Sequence, residues 1–476
     1  MNPYTLLIDG MNAKCIDPGL HYEGVMNLSN LKKITSAAFA GIMTLGLLVG
    51  CSDSSKPEAS VSSSVPKATA DNSAGASKTD KKPEDYKGEI TVWTWWKPYF
   101  DESIADFNKT YPNVKVNLTV MGWGDYVTKF ETAKASGGAL PDVAMAESYW
   151  WGRFLSYKNT FVDLSTLGFK KSETVDAAAN AVVDADGKFV AIPQGLGLGA
   201  IWYRKDLAKE VFGTDDAATI VGKYASMDEF ILNAGKEVKE KSGGKLTAFT
   251  NATDVMEGLI ASQVSTGKSY VDGDTLKVKE NMTSAYNTLD KALKEGYIAK
   301  VNGPAMDAAW ASGKVVFFPS AGWREGTIPA SDKDGKGRWG MFAPPGGEYF
   351  RGGTAELVVD KGDRNKAELA ALFIKHRLFS EAGMKVNNKF GNLTAVKDIQ
   401  QKKWTNGVND YFNLDITAYF YDVIKNMKPV KYGKHDSVIE DQLKAVALDM
   451  EKSGLEPDKA VVKAVEAIKS KDDSIK

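Results

Sequence analysis

Two tryptophan pairs and the polar residues beside them carry the most chemistry in this chain. Trp95-Trp96 ends the run Ile90-Thr91-Val92-Trp93-Thr94-Trp95-Trp96, and Tyr149-Trp150-Trp151 follows Asp142-Val143-Ala144-Met145-Ala146-Glu147. Trp123 and Trp323 stand apart from the pairs. Flat aromatic faces suit the apolar C–H faces of sugar rings, while carboxylates and amides bond hydroxyls, a task for which Glu147 and Gln194 are placed. Large aromatics also dominate ordinary cores. Trp93, alternating with Val92, is expected to be core. Two adjacent rings do not easily both point inward, so at least one of each pair is expected to face a cleft.

Other chemistries are excluded by what is missing. The two cysteines are Cys15 and Cys51, both ahead of the folded part, which therefore has neither a disulfide framework nor a Cys-ligated metal site. Two of the three histidines, His376 and His435, fall in the folded part. His376 is expected to flank an apolar helix face, and His435 lies in a polar stretch where a ligand contact is open. No cofactor and no metal is expected. The formal net charge of −1 comes without a basic stripe or an acidic tail, so no nucleic-acid partner is expected.

The elements around the aromatics alternate. Gly88–Trp96 reads as a strand, 101–109 as a helix, Val114–Val120 as a strand, 126–135 as a helix ending at Gly137-Gly138, and Asp142–Ala146 as a third strand. This βαβαβ pattern predicts a parallel sheet covered by helices, and both tryptophan pairs fall where a strand ends. Ligands of open α/β sheets sit at the carboxyl ends of strands. Further strands are expected at Phe189–Pro193, Val315–Phe318 and Glu356–Val359. Helices are expected at 227–241, 282–296, 364–380 and 457–470.

The N-terminal part reads as an address. Lys32-Lys33 precede an uncharged, largely apolar run from Ile34 to Val49, and Leu48-Val49-Gly50-Cys51 leads into polar sequence. A basic region, an apolar region and a small-residue cleavage site describe an export signal. The run is short for a membrane span, which needs about 20 residues. Leu-Val-Gly before Cys51 resembles the bacterial lipobox, in which the cysteine is lipidated. Met26 gives a conventional start for a signal over 26–50, so residues 1–25 are read as an upstream leader. Residues 51–87, rich in Ser, Ala, Lys, Pro and Asp, read as a disordered tether. A flexible coil of about 35 residues reaches roughly 30–35 Å.

A series of motifs from 88 to 470 adds a resemblance. Ile90-Thr91-Val92-Trp93 is followed by Tyr111-Pro112-Asn113-Val114, then Leu140-Pro141-Asp142-Val143. Ala191-Ile192-Pro193 leads to Ile201-Trp202-Tyr203-Arg204-Lys205-Asp206-Leu207. Ala311-Ser312-Gly313-Lys314-Val315, Gly322-Trp323, Trp339-Gly340, Pro344-Pro345-Gly346-Gly347 and Gly352-Gly353 complete the order. The folded part is similar to extracellular solute-binding proteins of the carbohydrate ABC-importer type, the family that includes maltose-binding proteins. Two positions depart from its pattern: Arg204 stands where Asn is usual, and Ala321-Gly322-Trp323 where Gly-Pro-Trp is usual.

The resemblance implies an α/β, two-lobed periplasmic-binding-protein fold with a ligand cleft between lobes joined by hinge crossings. Lobe one is placed at 88–198 with 348–382, and lobe two at 199–347 with 383–476. Contacts to the ligand are implied from Trp95, Trp96, Glu147, Trp150, Gln194, Trp323 and the loop at Gly352, with Trp123 and Trp151 as further aromatic candidates. Arg324 and Arg351 could add hydrogen bonds, or charge for an acidic sugar. The implied function is capture of a carbohydrate, most simply an oligosaccharide, by cleft closure and delivery to an ABC-type permease. The protein would be a monomer held at the extracytoplasmic face of the cell membrane by lipidated Cys51. Two readings compete. An exported carbohydrate-active enzyme needs two flanking carboxylates, for which Glu147 and Asp101 are candidates. The same fold could instead bind an amino acid or a polyamine.

Overall fold

The computed structural model describes residues 81–179, 182–347, 350–397, 399, 406–427 and 432–476. The leader, the signal, Cys51 and the tether as far as residue 80 lie outside the described residues. Residues 81–87, assigned above to the tether, already belong to the fold. Tyr86 meets Tyr111 edge-on at 5.8 Å, and Asn113 donates to the Glu84 carbonyl at 2.8 Å.

The chain opens as expected, with β1 (Gly88–Thr94), α1 (Lys97–Thr110), β2 (Val114–Val120), α2 (Trp123–Ala135), β3 (Val143–Glu147) and the short helices α3 (Trp151–Leu155) and α4 (Asp176–Ala179). β4 (Ala191–Arg204) follows, then α5 (Lys205–Phe212) and α6 (Ala217–Val221). The helix expected over 227–241 consists of α7 (Met227–Glu229) and α8 (Gly235–Lys241), joined through a π-turn at Phe230–Ala234. After α9 (Ala252–Ser265) come the two-residue strands β5 (Val271–Asp272) and β6 (Thr275–Leu276), α10 (Val278–Lys294) and α11 (Pro304–Ala311). Next are β7 (Phe317–Ala321), α12 (Arg324–Ser331), β8 (Trp339–Phe342) and β9 (Phe350–Val358). The last part is helical: α13 (Arg364–Phe379), α14 (Glu381–Lys389), α15 (Ile416–Asn426), α16 (Asp436–Ser453) and α17 (Pro457–Lys471).

One sheet runs β2-β1-β3-β9-β4-β7, with β8 also on β4. β1 pairs in parallel with β2 and β3, as the βαβαβ pattern predicts. The rest of the sheet corrects the parallel expectation: β9 is antiparallel to both β3 and β4, and β7 and β8 are antiparallel to β4. Only strands linked by a crossover helix are bound to run parallel, and β9 enters from β8 without one.

β4 is nearly three times the length expected for it and is buried throughout. Its first half pairs with β9, its second half with β7 and β8. Pro193, Gly195, Gly197 and Gly199 look like strand breakers. They are accommodated because the pairing to β9 shifts register between Pro193 and Gly195 and again between Leu196 and Leu198.

β4 thereby passes between two hydrophobic cores. The first gathers residues such as Ile90, Phe100, Phe107, Met145, Leu357 and Phe373. The second gathers Ile201, Phe230, Met256, Leu289, Phe317, Leu443 and Ile468. A later crossing links α15, whose Phe420 and Ile424 belong to the first core, to α16, whose Ile439 and Val446 belong to the second. The cores do not divide at 383. Met384, Leu393, Phe412 and Ile416 pack in the first core, because α14 lies against α1 and α13.

Candidate ligand cleft

The end of β1, the start of α2 and the turn after β3 bring their rings together. Trp95 meets Tyr126 at 5.1 Å and Trp150 at 5.4 Å, both edge-on. Trp150 lies parallel to Tyr126 at 5.8 Å, and Trp123 packs on Trp150 at 4.7 Å and on Tyr149 at 6.2 Å. The hydroxyl of Tyr126 donates to the Trp93 carbonyl at 3.3 Å and accepts from Met145 N at 2.8 Å, which fixes this shelf to the sheet. Trp96 turns the other way, to Tyr99 at 5.0 Å and Phe390 at 5.8 Å. The first pair therefore splits between two surroundings.

Trp150 and Trp151 are both buried, with Trp150 on the shelf and Trp151 turned away from it. Adjacent side chains oppose each other on a strand but stand about 100° apart on a helix, and this pair sits where the 3₁₀ turn Ser148–Trp150 runs into α3. Trp151 donates to the Ala146 carbonyl at 2.9 Å and meets Tyr432 edge-on at 5.5 Å. It therefore faces the crossing that precedes α16.

Glu147 ends β3 beside this shelf. Its carboxylate accepts from Tyr149 N at 2.9 Å and from the Ser148 hydroxyl at 3.1 Å. Burial nevertheless pushes its pKa up to about 7, against those hydrogen bonds and Lys444, with Glu257 adding repulsion. In register across β9, Glu147 lies opposite Thr354, and Thr354 lies opposite Gly195. A Cβ on Gly352, whose φ is +102°, would come within 2.8 Å of the Trp323 ring and 3.4 Å of Glu147 Oε1. Trp323 is 38% exposed and faces Gly352 and Glu147 from the start of α12. Gln194 is fully buried, and neither its carbonyl nor its amino group has a partner among the described residues.

Arg324 is placed differently from the expectation. Its guanidinium is buried over Phe318 at 4.9 Å and Trp310 at 5.4 Å, with Nε donating to Ser320 at 3.1 Å. Of Arg351 only the backbone, on β9, is described. Arg204, the departure from the family pattern, is a staple: Nη1 donates to the Trp310 carbonyl at 2.6 Å and Nη2 pairs with Asp206 at 2.6 Å. At the other departure, Gly322 lies against the Phe420 ring with no room for a Cβ. Asp101 is a helix-surface residue paired with Lys97 at 2.6 Å. His376 is bonded to Asp106 at 2.9 Å beside Phe107, and His435 is buried and bonded to Asp472 at 2.6 Å.

The sequence reading missed the second wall. α16 and α9 bring Asp436, Glu440, Asp441, Lys444 and Glu257 toward the turn after β3. Tyr149 donates its hydroxyl to Asp441, and the Lys444 ammonium lies 4.5 Å from the Tyr149 ring. Tyr270 donates to Glu440 at 2.8 Å. The only signal was the helical spacing of Ile439, Leu443, Val446 and Met450, which hides which charged residues line the opposite face.

Comparison with curated protein sequences gives no match. Among solved structures, an extracellular solute-binding protein of family 1 aligns with a TM-score of 0.70 at 23% identity, covering 80% of this chain and 99% of the other. The galacto-N-biose/lacto-N-biose I-binding protein of an ABC transporter from Bifidobacterium longum, solved with lacto-N-biose, aligns with a TM-score of 0.64 at 18% identity, covering 82% and 97%. The sugar-binding protein MalE from Xanthomonas citri aligns with a TM-score of 0.64 at 16% identity, covering 81% and 98%. At these identities the likeness is one of fold. The profile of one family, described as bacterial extracellular solute-binding protein, matches residues 93–385, from within β1 into α14. That span exceeds half of the chain, and the protein belongs to the bacterial extracellular solute-binding protein family.

Proposed function

We propose that this protein is a receptor that captures a carbohydrate between its two cores and delivers it to an ABC-type permease, with lipidated Cys51 holding it at the extracytoplasmic face of the membrane. The observation that carries the reading is the ring shelf of Trp95, Trp123 and Trp150. Beside it stand Glu147 and Trp323, which meet across Gly352. Rings supply faces for sugar C–H surfaces, Glu147 accepts from hydroxyls, and the unpartnered amide of Gln194 offers both a donor and an acceptor. The B. longum and X. citri proteins are sugar binders with this fold, which supports the same class of ligand here. Binding would be a hinge motion about β4 and its neighbouring crossings. Capture, not bond-making, is the proposed task.

A cationic ligand is the second reading. It is favoured by the carboxylates of Glu147, Glu440 and Asp441 around the Tyr149 ring, which already holds the Lys444 ammonium. A thermal-shift screen against mono- and oligosaccharides, uronic acids, amino acids and polyamines decides between them. A ligand at 100 times its Kd stabilises the folded state by about 2.7 kcal/mol. A saccharide hit recovered intact supports the receptor. Shortened products would make the protein an enzyme, and a hit confined to amines would establish the second reading.

A further inference from the structure

The contact between the two cores is ionisable, and its arrangement does not depend on which ligand the cleft takes. From the first core, the turn after β3 presents Glu147, Ser148 and Tyr149, and α3 presents Gly152. From the second, α16 presents Asp436, Glu440, Asp441 and Lys444, α9 presents Glu257, and Tyr270 stands just before β5. The crossing between the cores adds Tyr432, Gly433 and His435.

These groups are in register for direct contact. Tyr149 on one side bonds Asp441 on the other, and Trp151 meets Tyr432 at 5.5 Å. A Cβ on Gly152 would lie 2.1 Å from the Gly433 carbonyl oxygen, so the backbones touch. Gly433 N donates to Asp436 at 2.7 Å, and Tyr270 donates to Glu440 at 2.8 Å. Among the described residues one lysine, Lys444, faces Glu440, while Asp436 and Glu257 add like charge and Asp441 stands next to it on α16. His435 is turned toward Asp472 and Asp274 at the far side of the crossing. Among the described residues no group of His, Cys, Asp and Glu is placed to hold a metal ion.

We propose that closure of the two cores takes up a proton at this junction, with Glu440 as the acceptor, so that the closed form is favoured as the medium becomes more acidic. α16 and α9 hold the carboxylates of Asp436, Glu440, Asp441 and Glu257 on the second core in either form, and opening would expose them to water. Closing lays the turn after β3 over them, with Tyr149 against Asp441 and Lys444 and Glu147 added to the cluster, and a proton on Glu440 removes part of the charge that this encloses. The shifts run the same way. Burial, with Asp436 and Glu257 adding to it, pushes Glu440 up to about 8, and burial pushes Asp436 up to about 6. A carboxyl raised in the closed form favours that form below its closed pKa, and the advantage is lost as pH rises through that value.

Small-angle scattering of the ligand-free protein from pH 5.5 to 8.5, fitted as an open–closed mixture, tests this without knowing the ligand. One proton shifts the ratio by at most about tenfold per pH unit. The closed fraction of the parent protein is expected to fall as pH rises. Glu440→Gln is expected to stay closed at pH 8 with most of the slope gone, while the exposed Glu280→Gln keeps the parent slope. Should Glu440→Gln fold poorly, Tyr270→Phe serves: it removes the hydroxyl that favours the charged form and moves the midpoint to higher pH. A flat parent profile overturns the proposal, and so does a parent-like slope in Glu440→Gln or an unmoved midpoint in Tyr270→Phe. None of these outcomes touches the carbohydrate reading, which the ligand screen tests separately.

Discussion

Glu356 and Glu440 show two ways of placing a glutamate inside this protein. Glu356 stands on β9, fully buried in the first core, and receives Arg377 Nη1 at 2.5 Å. The guanidinium is itself enclosed by Phe100, Phe373 and Tyr99 at 4.2–5.0 Å. Burial raises the Glu356 pKa, and Arg377 opposes that rise both through its charge and through its hydrogen bond. Glu440 stands between the cores, partly buried, with Lys444 as the one lysine facing it among the described residues and with the carboxylates of Asp436 and Glu257 beside it. Inside a core a charge is matched by a partner from a neighbouring element. At the junction the carboxylates outnumber the cations among the described residues, and under the proposed closure a change of protonation tips a contact that has to open again.

The largest test of that contrast lies in the core. Arg377→Met leaves Glu356 buried without its partner, and breaking a buried pair in this way costs about 3–5 kcal/mol. Denaturation by urea is expected to show that loss, and Arg377→Met with Glu356→Leu is expected to recover most of it. A single-mutant cost below about 1 kcal/mol would put Glu356 in the same class as Glu440 and dissolve the comparison.

The next test is steric. Gly152→Ala puts a methyl where the Gly433 carbonyl stands, and overpacking of this kind costs about 1–3 kcal/mol. Because the clash is across the junction, scattering is expected to show a more open molecule, with the first core intact by near-ultraviolet circular dichroism. Equal loss of core signal would mean that the junction is as rigid as the core. A third substitution addresses the rim of the proposed cleft. Trp323 is the most exposed tryptophan described, so Trp323→Ala is expected to leave the melting temperature within about 1 °C while weakening saccharide binding about tenfold, or about 1.4 kcal/mol, by calorimetry.

These contrasts also show why one wall of the proposed cleft was legible in the sequence and the other was not. The first wall follows from strand order: β1 and β3 are parallel neighbours, so the residues after each strand, Trp95 and Glu147 to Trp150, must meet at one edge. Their types then point to the chemistry. Trp150 and Trp151 were harder, because strand logic was applied to residues on a helical turn. β4 was cut short by its proline and glycines, whose cost is absorbed by bulges that only the pairing with β9 discloses. The antiparallel entry of β9 has no local signature, since it depends on what the chain does between β8 and β9. The α16 wall was hidden for another reason. Asp436, Glu440, Asp441 and Lys444 have the pattern of an ordinary solvated helix face. Only the crossing at Gly433, pressed against Gly152, turns that face toward the first core.

The smallest expected effect is the most discriminating. Glu440 titrates near 4.3 in an unfolded chain and is pushed up to about 8 in this structure. The folded form therefore holds its proton more tightly than the unfolded one. Below about pH 4 both forms are protonated and Glu440 costs nothing. As pH rises the unfolded chain ionises first, so a penalty on folding builds up and is complete once the pH passes the folded value. Glu440→Gln, always neutral, is expected to match the parent in calorimetric melting near pH 4 and to exceed it by about 1 kcal/mol at pH 8. The gain is kept small by partial exposure and by Lys444, which regains some of its interaction when Glu440 is charged. If Gln instead destabilises the protein at pH 8, the charge of Glu440 is being used as that of Glu356 is, with Lys444 in the place of Arg377. The junction would then be a second locked pair, and its opening would have to be driven by ligand release alone.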